Sequence, residues 1–484
     1  MSGKETIILL SKILTQPGLE GNNRRYIDII LEEEIPVFCI NEDTNKKRQM
    51  PFKVLFDNND NFWHKKGSWE YYFSAEGYNK LKDKLLARSA AWQGQAILEN
   101  DGGSEAENKT HSHGIGHEVE VGYGNEYTYF TEMTTEEKIE CLNNDKKRLN
   151  DILSQKYKNE AEVTEALVDT TKDAAFINHA TLEDAIYLAD DEAKKMTQVL
   201  VDSTHDMVRA SALLMSENIF SNELMTTLVE KSNGTIIQHM TRVYLNGIAF
   251  LSYYNNLVST SSAIQRLRIS FASKYRKFYH ELLPHIDIDD IVLERVFFGG
   301  MRAIPTDLYF KWAVGFLIHD IGKASAIEYH EGEAKYDRKM VIEHVKQGYK
   351  SIMTKTNYPM EASLITGYHH EYYGDADGYG YFRAYLAQYK KQNPDAKQDY
   401  CITYELEPML DYQALAYFPA KVLEIIDIYD SVTDPHRVYR KSMSPEEALV
   451  MMKEEFVDKN HKIDAILFDI FAKFIREKEK QAQK

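Results

Sequence analysis

The sequence predicts a C-terminal all-α domain preceded by an N-terminal mixed α/β module of unknown type, with a helical region joining the two. Three observations predict this arrangement. Nearly every segment after residue 230 has the apolar spacing of a helix, residues 1 to about 100 alternate apolar runs with polar turns, and a loop-like stretch separates these parts. With 484 residues, 43% of them hydrophobic, the chain is long enough for more than one domain.

The N-terminal module is expected to span residues 1–130 and to serve regulation or sensing. Apolar runs at 36–40 and 52–56 are divided by polar turns, which is typical of a small unit containing β-strands. Residues 101–124 are rich in Gly, Ser, Asn and His and predict a linker or a hairpin-rich insertion. This stretch contains His111, His113 and His117, for which a solvated loop is favoured over metal binding because no cysteine or other ligand pattern stands nearby.

A helical connector is expected at residues 131–212, followed by the main helical domain at 213–475. Thr134 and the acidic residues after it resemble an N-cap and first helical turn. The helical stretch from about residue 184 to 230 could relay movement or pair with a copy of itself. A homodimer through the connector is therefore one expected partner arrangement.

Charge limits the classes of partner. The formal net charge of −17 argues against a protein that grips DNA or RNA by neutralising many phosphates, because that mode requires a basic face. An anionic substrate must therefore meet local positive charge. Bound metal ions and a few well-placed Lys and Arg side chains would have to reverse the sign inside the pocket.

Cysteine content and hydropathy favour a cytoplasmic protein. The three cysteines Cys39, Cys141 and Cys401 are odd in number and far apart, which indicates neither a disulfide framework nor a cysteine-based zinc site. The apolar stretch at 312–318 is far shorter than the roughly 20 residues that cross a bilayer, and the first residues show no signal-peptide pattern. We expect no contact with a membrane.

The helical domain offers an ordered set of metal ligands. Hard or borderline divalent metals are bound by imidazole and carboxylate groups, and a two-metal hydrolase needs about six of them, one able to bridge. Taken singly, each histidine is more often a core or surface residue than a ligand. The His-Asp pair at the end of an apolar helix favours a metal site when it is taken with the other candidates: His239, His319, Asp320, His344, His369, His370 and Asp427.

The order and spacing of these residues resemble the HD-GYP subgroup of the HD phosphohydrolases, whose members hydrolyse cyclic di-GMP. The resemblance runs from about residue 213 to 474. Its marks are His239-x-x-Arg242-Val243, His319-Asp320-x-Gly322-Lys323, His344-x-x-x-Gly348, His369-His370-Glu371, Asp377-Gly378-x-Gly380-Tyr381, Asp427-x-x-Asp430, Arg437-x-Tyr439-Arg440 and the run from Ser444 to Ala448.

The resemblance implies two divalent metal ions, iron or manganese, and zinc is also compatible with these ligand types. One ion would be held by His239, His319, Asp320 and Asp427. Asp320 would bridge to a second ion held by His344, His369 and His370. The implied catalytic residues are Asp320 and Lys323. Phosphate or base contacts are implied for Lys323, Tyr381, Arg437 and Arg440.

The implied reaction is hydrolysis of cyclic di-GMP, mainly to the linear dinucleotide pGpG, which would lower the level of a second messenger. Some members of the family have a carboxylate four residues before the first ligand histidine, and it recruits a third metal that is associated with the mononucleotide product. This chain has Thr235 at that position. A site with two metals and a linear product is therefore expected.

The sequence departs from the family in the loop after the His-His-Glu string. Gly380-Tyr381-Phe382 replaces Gly-Tyr-Pro, and proline fixes the backbone where phenylalanine does not. A tyrosine-rich insertion at 383–411 follows and is favoured to pack on the host domain over stacking on a base. These departures leave two alternatives open, a phosphohydrolase for another cyclic dinucleotide or nucleotide, and a catalytically weak receptor for cyclic di-GMP.

Overall fold

The computed structural model describes residues 8–9, 35–41, 46–49, 69–73, 77, 80, 130, 133–186, 188–217, 236–323, 338–373, 378–435 and 442–482. The chain divides into two compact units, residues 1–113 and 114–484. The division falls within the stretch 101–124 that the sequence analysis treats as a separating loop. That stretch, with His111, His113 and His117, lies outside the described residues, as does the apolar run at 52–56.

The first unit contains an antiparallel sheet whose strands lie in the order β1–β4–β2–β3. In the register of the sheet, Cys39 on β2 lies opposite Arg48 on one side and Tyr71 on the other. The sheet supplies the β component expected of the N-terminal module. Its strands are β1 (Ile8–Leu9), β2 (Val37–Asn41), β3 (Lys46–Gln49) and β4 (Trp69–Phe73).

The second unit begins with three long helices, α1 (Thr135–Ser154), α2 (Glu160–Ile186) and α3 (Asp190–Glu217). A capping box begins α1, in which the Thr134 hydroxyl accepts a hydrogen bond from the Glu137 amide and the Glu137 carboxylate accepts one from the Thr134 amide. The three helices pack on one another. Residues 131–212, assigned to a connector from the sequence, are thus part of the same compact unit as the ligand-bearing helices.

The rest of this unit is mostly helical. The 3-10 turn Ile288–Asp290 and the π-helical turn Lys453–Asp458 interrupt it. The helices are α4 (Ile236–Val258), α5 (Ser261–Lys274), α6 (Arg276–Leu282), α7 (Leu293–Val296), α8 (Thr306–Leu317), α9 (Arg338–Lys355), α10 (Met360–Tyr368), α11 (Arg383–Gln392), α12 (Glu407–Leu410), α13 (Phe418–Thr433), α14 (Pro445–Met452) and α15 (Ala465–Ala482).

Helix α4 lies at the centre of this unit. All residues from Ile236 to Tyr254 are buried, because apolar side chains occur around the whole circumference of the helix. The helix packs against α2, α3, α8, α13 and α15. This enclosure explains why polar side chains on α4, including His239, are almost completely removed from solvent.

The insertion after the altered loop forms α11, β5 (Tyr400–Thr403) and α12. Strand β6 (Ala414–Tyr417) follows it and pairs in parallel with β5. The all-α expectation for this half is therefore modified by one short strand pair. Such four-residue runs are too short to show a strand period in the sequence. Tyr404 is fully buried, stacks on Phe418 at 4.5 Å between ring centroids, and shares a hydrogen bond with the Tyr254 hydroxyl.

Within the described part of the chain, none of the helices combines the length and apolar character that a bilayer span requires.

Candidate metal centre

Seven buried His and Asp side chains converge at one place in the helical unit. None of them is more than 3% exposed. They come from distant parts of the sequence because α4, α8, α9, α10 and α13 pack on one another in a continuous series of contacts. The seven are His239 of α4, His319 and Asp320 directly after α8, His344 of α9, His369 and His370 at the end of α10, and Asp427 of α13.

The seven side chains form two groups, and within each group the candidate ligand atoms lie within 4.8 Å of one another. We call these the His239 group and the His344 group. The resemblance implies the same grouping of the six other residues and assigns Asp320 to both ions. The His239 group is His239, His319 and Asp427, and the His344 group is Asp320, His344, His369 and His370.

Asp320 faces both groups with different oxygens. Its Oδ2 lies 3.6 Å from Nε2 of His239 and 3.5 Å from Nε2 of His319. Its Oδ1 lies 3.1 Å from Nε2 of His344 and 3.7 Å from Nε2 of His369. A single carboxylate therefore stands between the two groups, as a bridging ligand must.

Two of the histidines have a defined tautomer. Nδ1 of His319 lies 2.9 Å from the Phe316 carbonyl oxygen, and Nδ1 of His369 lies 2.7 Å from that of Thr366. A carbonyl only accepts hydrogen bonds, so Nδ1 of each ring carries a hydrogen, and in a neutral ring Nε2 then presents a lone pair toward Asp320.

Such an arrangement of lone pairs fits a cation. Nε2 of His319 has no hydrogen-bond partner among the described residues, although it is buried. Burial lowers the pKa of His319 to about 3, so its ring is neutral at ordinary pH. When a neutral imidazole nitrogen faces a carboxylate oxygen, their lone pairs repel each other unless a positive charge lies between them. The two groups could thus each hold a metal ion.

Two glycines allow the segment after α8 to pack closely against α9. A Cβ atom on Gly322 would lie 1.9 Å from the carbonyl oxygen of His344 and 2.5 Å from the amide nitrogen of Gly348. A Cβ on Gly348 would lie 2.6 Å from Cγ2 of Thr366. Both glycine positions of the sequence motifs are therefore places of close backbone contact, and this contact positions His344 beside Asp320.

A buried ionic network holds His239. Its Nδ1 lies 2.8 Å from Oδ2 of Asp430, and Arg242 donates two hydrogen bonds of 2.8 Å to the same carboxylate. Arg242 also donates to Asp434 at 2.8 Å. Although burial opposes it, Arg242 and His239 hold the pKa of Asp430 below its usual range. The network orients His239 so that its Nε2 faces Asp427, 3.0 Å away.

Lys323 supplies local positive charge beside the groups. Its ammonium donates to Oδ2 of Asp320 at 2.6 Å, and its side chain is 19% exposed. Although burial acts in the opposite direction, Lys323 and His319 hold the pKa of Asp320 well below its usual range. Lys323 is therefore at the edge of the site, where a cationic group can reach both the ligands and the solvent side.

The loop after α10 places a tyrosine that was not singled out from the sequence against the ligands. This is Tyr379, whose ring lies 4.4 Å from the ring of His370. The Tyr381 ring stacks on Tyr349 at 4.8 Å between centroids, and Phe382 is buried with its edge toward the same ring. Tyr379 has no signal in the sequence, because it occupies the variable place between two glycines of the motif.

Some predicted residues lie outside the described part of the chain. They are Thr235, Arg437 and Arg440.

Other residues around the site were not singled out from the sequence. Asp434 continues the spacing of Asp427 and Asp430 at one and two helical turns, a pattern that could have indicated a shared face of α13. Glu424 is one turn before Asp427 and is fully buried with Lys421, whose ammonium donates to it at 2.7 Å. Burial raises the pKa of Glu424 to about 8.

Comparison with known proteins adds no relative. Models of protein families, curated proteins and solved structures were compared with the chain, and none of them matches it.

Proposed function

We propose that this protein is a metal-dependent phosphodiesterase that hydrolyses cyclic di-GMP, mainly to the linear dinucleotide pGpG. The observation that carries the proposal is the pair of buried ligand groups with the Asp320 carboxylate between them, one oxygen facing each group. Nitrogen and oxygen ligands without thiolate suit iron or manganese. We further propose that two such ions are bound, one by each group.

The residues of the chain have separate roles in this proposal. When bound, the ions would supply positive charge at the phosphate and lower the pKa of a water molecule toward neutrality. The backbone carbonyls that accept from His319 and His369 keep each Nε2 turned inward. Burial keeps bulk water out, which strengthens electrostatic interactions with a phosphate.

Local positive charge supports an anionic substrate in an acidic protein. Lys323 lies beside Asp320 and is partly exposed, so its ammonium can turn to a phosphate oxygen by rotation of a flexible side chain. Arg437 and Arg440 are proposed to bind phosphate or guanine from the sequence alone. Together with two ions, these groups would make the electrostatic potential at the site positive, although the net charge of the protein is −17.

A second candidate is hydrolysis of another cyclic dinucleotide or nucleotide. The altered loop supports this second candidate. Phe382 packs between Tyr349 and Tyr368, so a bulky buried side chain stands where the family has a stiff proline. The receptor alternative is less well supported, since a protein that only binds the dinucleotide has no need of all seven ligands.

The test compares the full-length wild-type protein with His319→Ala and Asp320→Asn variants, and with His285→Ala as a control at an exposed histidine. Each protein is loaded with iron or manganese under reducing conditions, its metal content is measured by elemental analysis, and several cyclic dinucleotides are followed by mass spectrometry. We expect two ions per wild-type chain, pGpG as the main product, and loss of both metal and turnover in the two ligand variants only.

Different outcomes separate the candidates. Cleavage of another dinucleotide in preference to cyclic di-GMP would transfer the proposal to the second candidate. Binding of cyclic di-GMP by the metal-loaded protein without cleavage under either metal would favour the receptor. A wild-type protein without bound metal, or ligand variants as active as His285→Ala, would refute a metal-dependent hydrolase.

A further inference from the structure

The loop that follows the ligand histidines is fixed by its backbone. The Tyr379 amide donates to the carbonyl oxygen of His370 at 3.0 Å, and the Tyr381 amide donates to that of Gly367 at 2.8 Å. Both acceptors belong to α10 or to the ligand residues directly after it. The residues between Gly378 and Phe382 therefore keep a constant position relative to His370.

Close contact at Gly380 strengthens this attachment. A Cβ atom on Gly380 would lie 1.8 Å from Oε2 of Glu371, so only glycine allows the loop to lie on this buried carboxylate. The other oxygen of Glu371 accepts a hydrogen bond of 3.2 Å from Arg383, the first residue of α11. The loop is thus held at both of its ends and at its middle.

This attachment presents Tyr379 to the His344 group. The Tyr379 ring lies 4.4 Å from the ring of His370 with 32° between the planes, and 6.2 Å from the ring of His344. The side chain as a whole is half-buried, but its hydroxyl oxygen is buried. The polar end of this partly exposed residue is therefore out of contact with solvent.

We propose that Tyr379 contacts the substrate and donates its hydroxyl hydrogen to an oxygen of the phosphate held between the two ligand groups. This inference rests on the proposed function and adds a residue to its site. A phenol is protonated at neutral pH and is a good donor to an anionic oxygen. The hydroxyl is the polar group of a side chain whose ring lies against the ring of His370.

Tyr157 is the control. It lies between α1 and α2, is 82% exposed and belongs to neither ligand group. Its replacement by phenylalanine removes one hydroxyl, as the same replacement does at Tyr379. The two Tyr→Phe variants therefore lose the same group at different places in the chain.

The experiment uses the full-length protein loaded with manganese, as wild type, Tyr379→Phe and Tyr157→Phe. Metal content is measured by elemental analysis, and binding of inorganic phosphate is measured from the relaxation of its phosphorus resonance by the bound manganese. We expect equal metal content in all three proteins. Tyr379→Phe should bind phosphate roughly tenfold more weakly, the effect of one hydrogen bond to a charged group, and Tyr157→Phe should bind it as wild type does.

Hydrolysis measured in parallel separates this inference from the proposed function. Weaker phosphate binding by Tyr379→Phe in a protein that cleaves no cyclic dinucleotide would support Tyr379 as a phosphate contact and refute the hydrolase. Unchanged phosphate affinity in Tyr379→Phe would overturn the inference. Loss of metal in that variant, equal losses in both variants, or no phosphate bound by the wild type would also overturn it.

Discussion

At the scale of single residues, Arg242 forms ion pairs with two buried carboxylates. Its guanidinium is 9% exposed and contacts Asp430 and Asp434, which are 5% and 2% exposed in their side chains. A buried ion pair contributes little net stability against an apolar replacement, yet removal of one partner leaves the other charge in a poorly solvated place. The network also decides how His239 is oriented.

Arg242→Ala should therefore lower both stability and metal affinity. We expect a loss of about 3–5 kcal/mol in the free energy of unfolding and roughly 10- to 100-fold weaker metal binding. Urea unfolding and metal titration measure the two effects. Arg268→Ala, which breaks an exposed pair with Glu294, is the control and should cost about 0.2–1 kcal/mol. Similar losses in both variants would contradict this account of the network.

A second residue-scale prediction concerns pH. Burial raises the folded-state pKa of Glu424 to about 8, with Lys421, Glu371 and Asp427 as the charged groups around it. The unfolded value is near 4.3, so between roughly pH 4 and pH 8 the folded protein binds a proton that the unfolded chain does not. This contribution to stability is complete below the unfolded pKa and is lost as the pH rises through the folded pKa.

The free energy of unfolding should accordingly fall between pH 5 and pH 8, and Glu424→Gln should remove up to about 1.4 kcal/mol per pH unit of that fall. Glutamine keeps an oxygen acceptor for Lys421. Urea unfolding at several pH values measures the slope, with Glu294→Gln as a control at an exposed carboxylate. Parallel profiles for wild type and Glu424→Gln would show that Glu424 stays ionised across this range.

At the scale of secondary-structure elements, the contact between the segment after α8 and helix α9 positions two ligands of one group. Gly322 and Gly348 bring backbone against backbone there. Asp320 precedes Gly322 by two residues and His344 precedes Gly348 by four, and both belong to the His344 group. The motif glycines are therefore needed for packing.

Gly322→Ala tests this contact. Its Cβ would lie 1.9 Å from a backbone oxygen that cannot rotate away, so α9 must move. We expect a loss of about 1–3 kcal/mol in unfolding free energy, as for overpacked cores, together with reduced metal content. Gly367→Ala is the control because its nearest contact would be 3.1 Å, to a side-chain atom. An equally small effect at both positions, measured by urea unfolding and elemental analysis, would contradict the prediction.

At the scale of the whole molecule, the sequence predicted the helical nature of the second unit and the residues that meet in it. Apolar spacing indicates a helix that buries one face, and α1 follows that rule with buried Leu142, Leu149 and Ile152. The ligands were found because His and Asp at buried helix ends are costly without a partner. Adjacent ligands such as His369 and His370 can be recognised in the sequence without knowing the distances in the folded chain.

The remaining features depend on tertiary contact and have no local pattern. Nothing in residues 131–212 shows that α2 and α3 pack on the ligand-bearing helices, since a helix facing its own domain and a connector helix have the same period. The choice between Tyr379 and Tyr381 depends on the path of a loop, which the backbone bonds to His370 and Gly367 decide. The β5–β6 pair joins two runs that are each too short to be recognised.

The central position of α4 has a consequence for the order of events during synthesis. His239 on α4 is made early, but Asp427 of α13 is made much later, and α15, which helps to enclose α4, is later still. A growing chain on the ribosome therefore has no complete ligand set until α13 has emerged. A fragment released before that point would lack Asp427 and the side chains that orient His239, so prematurely terminated products should have no competent site.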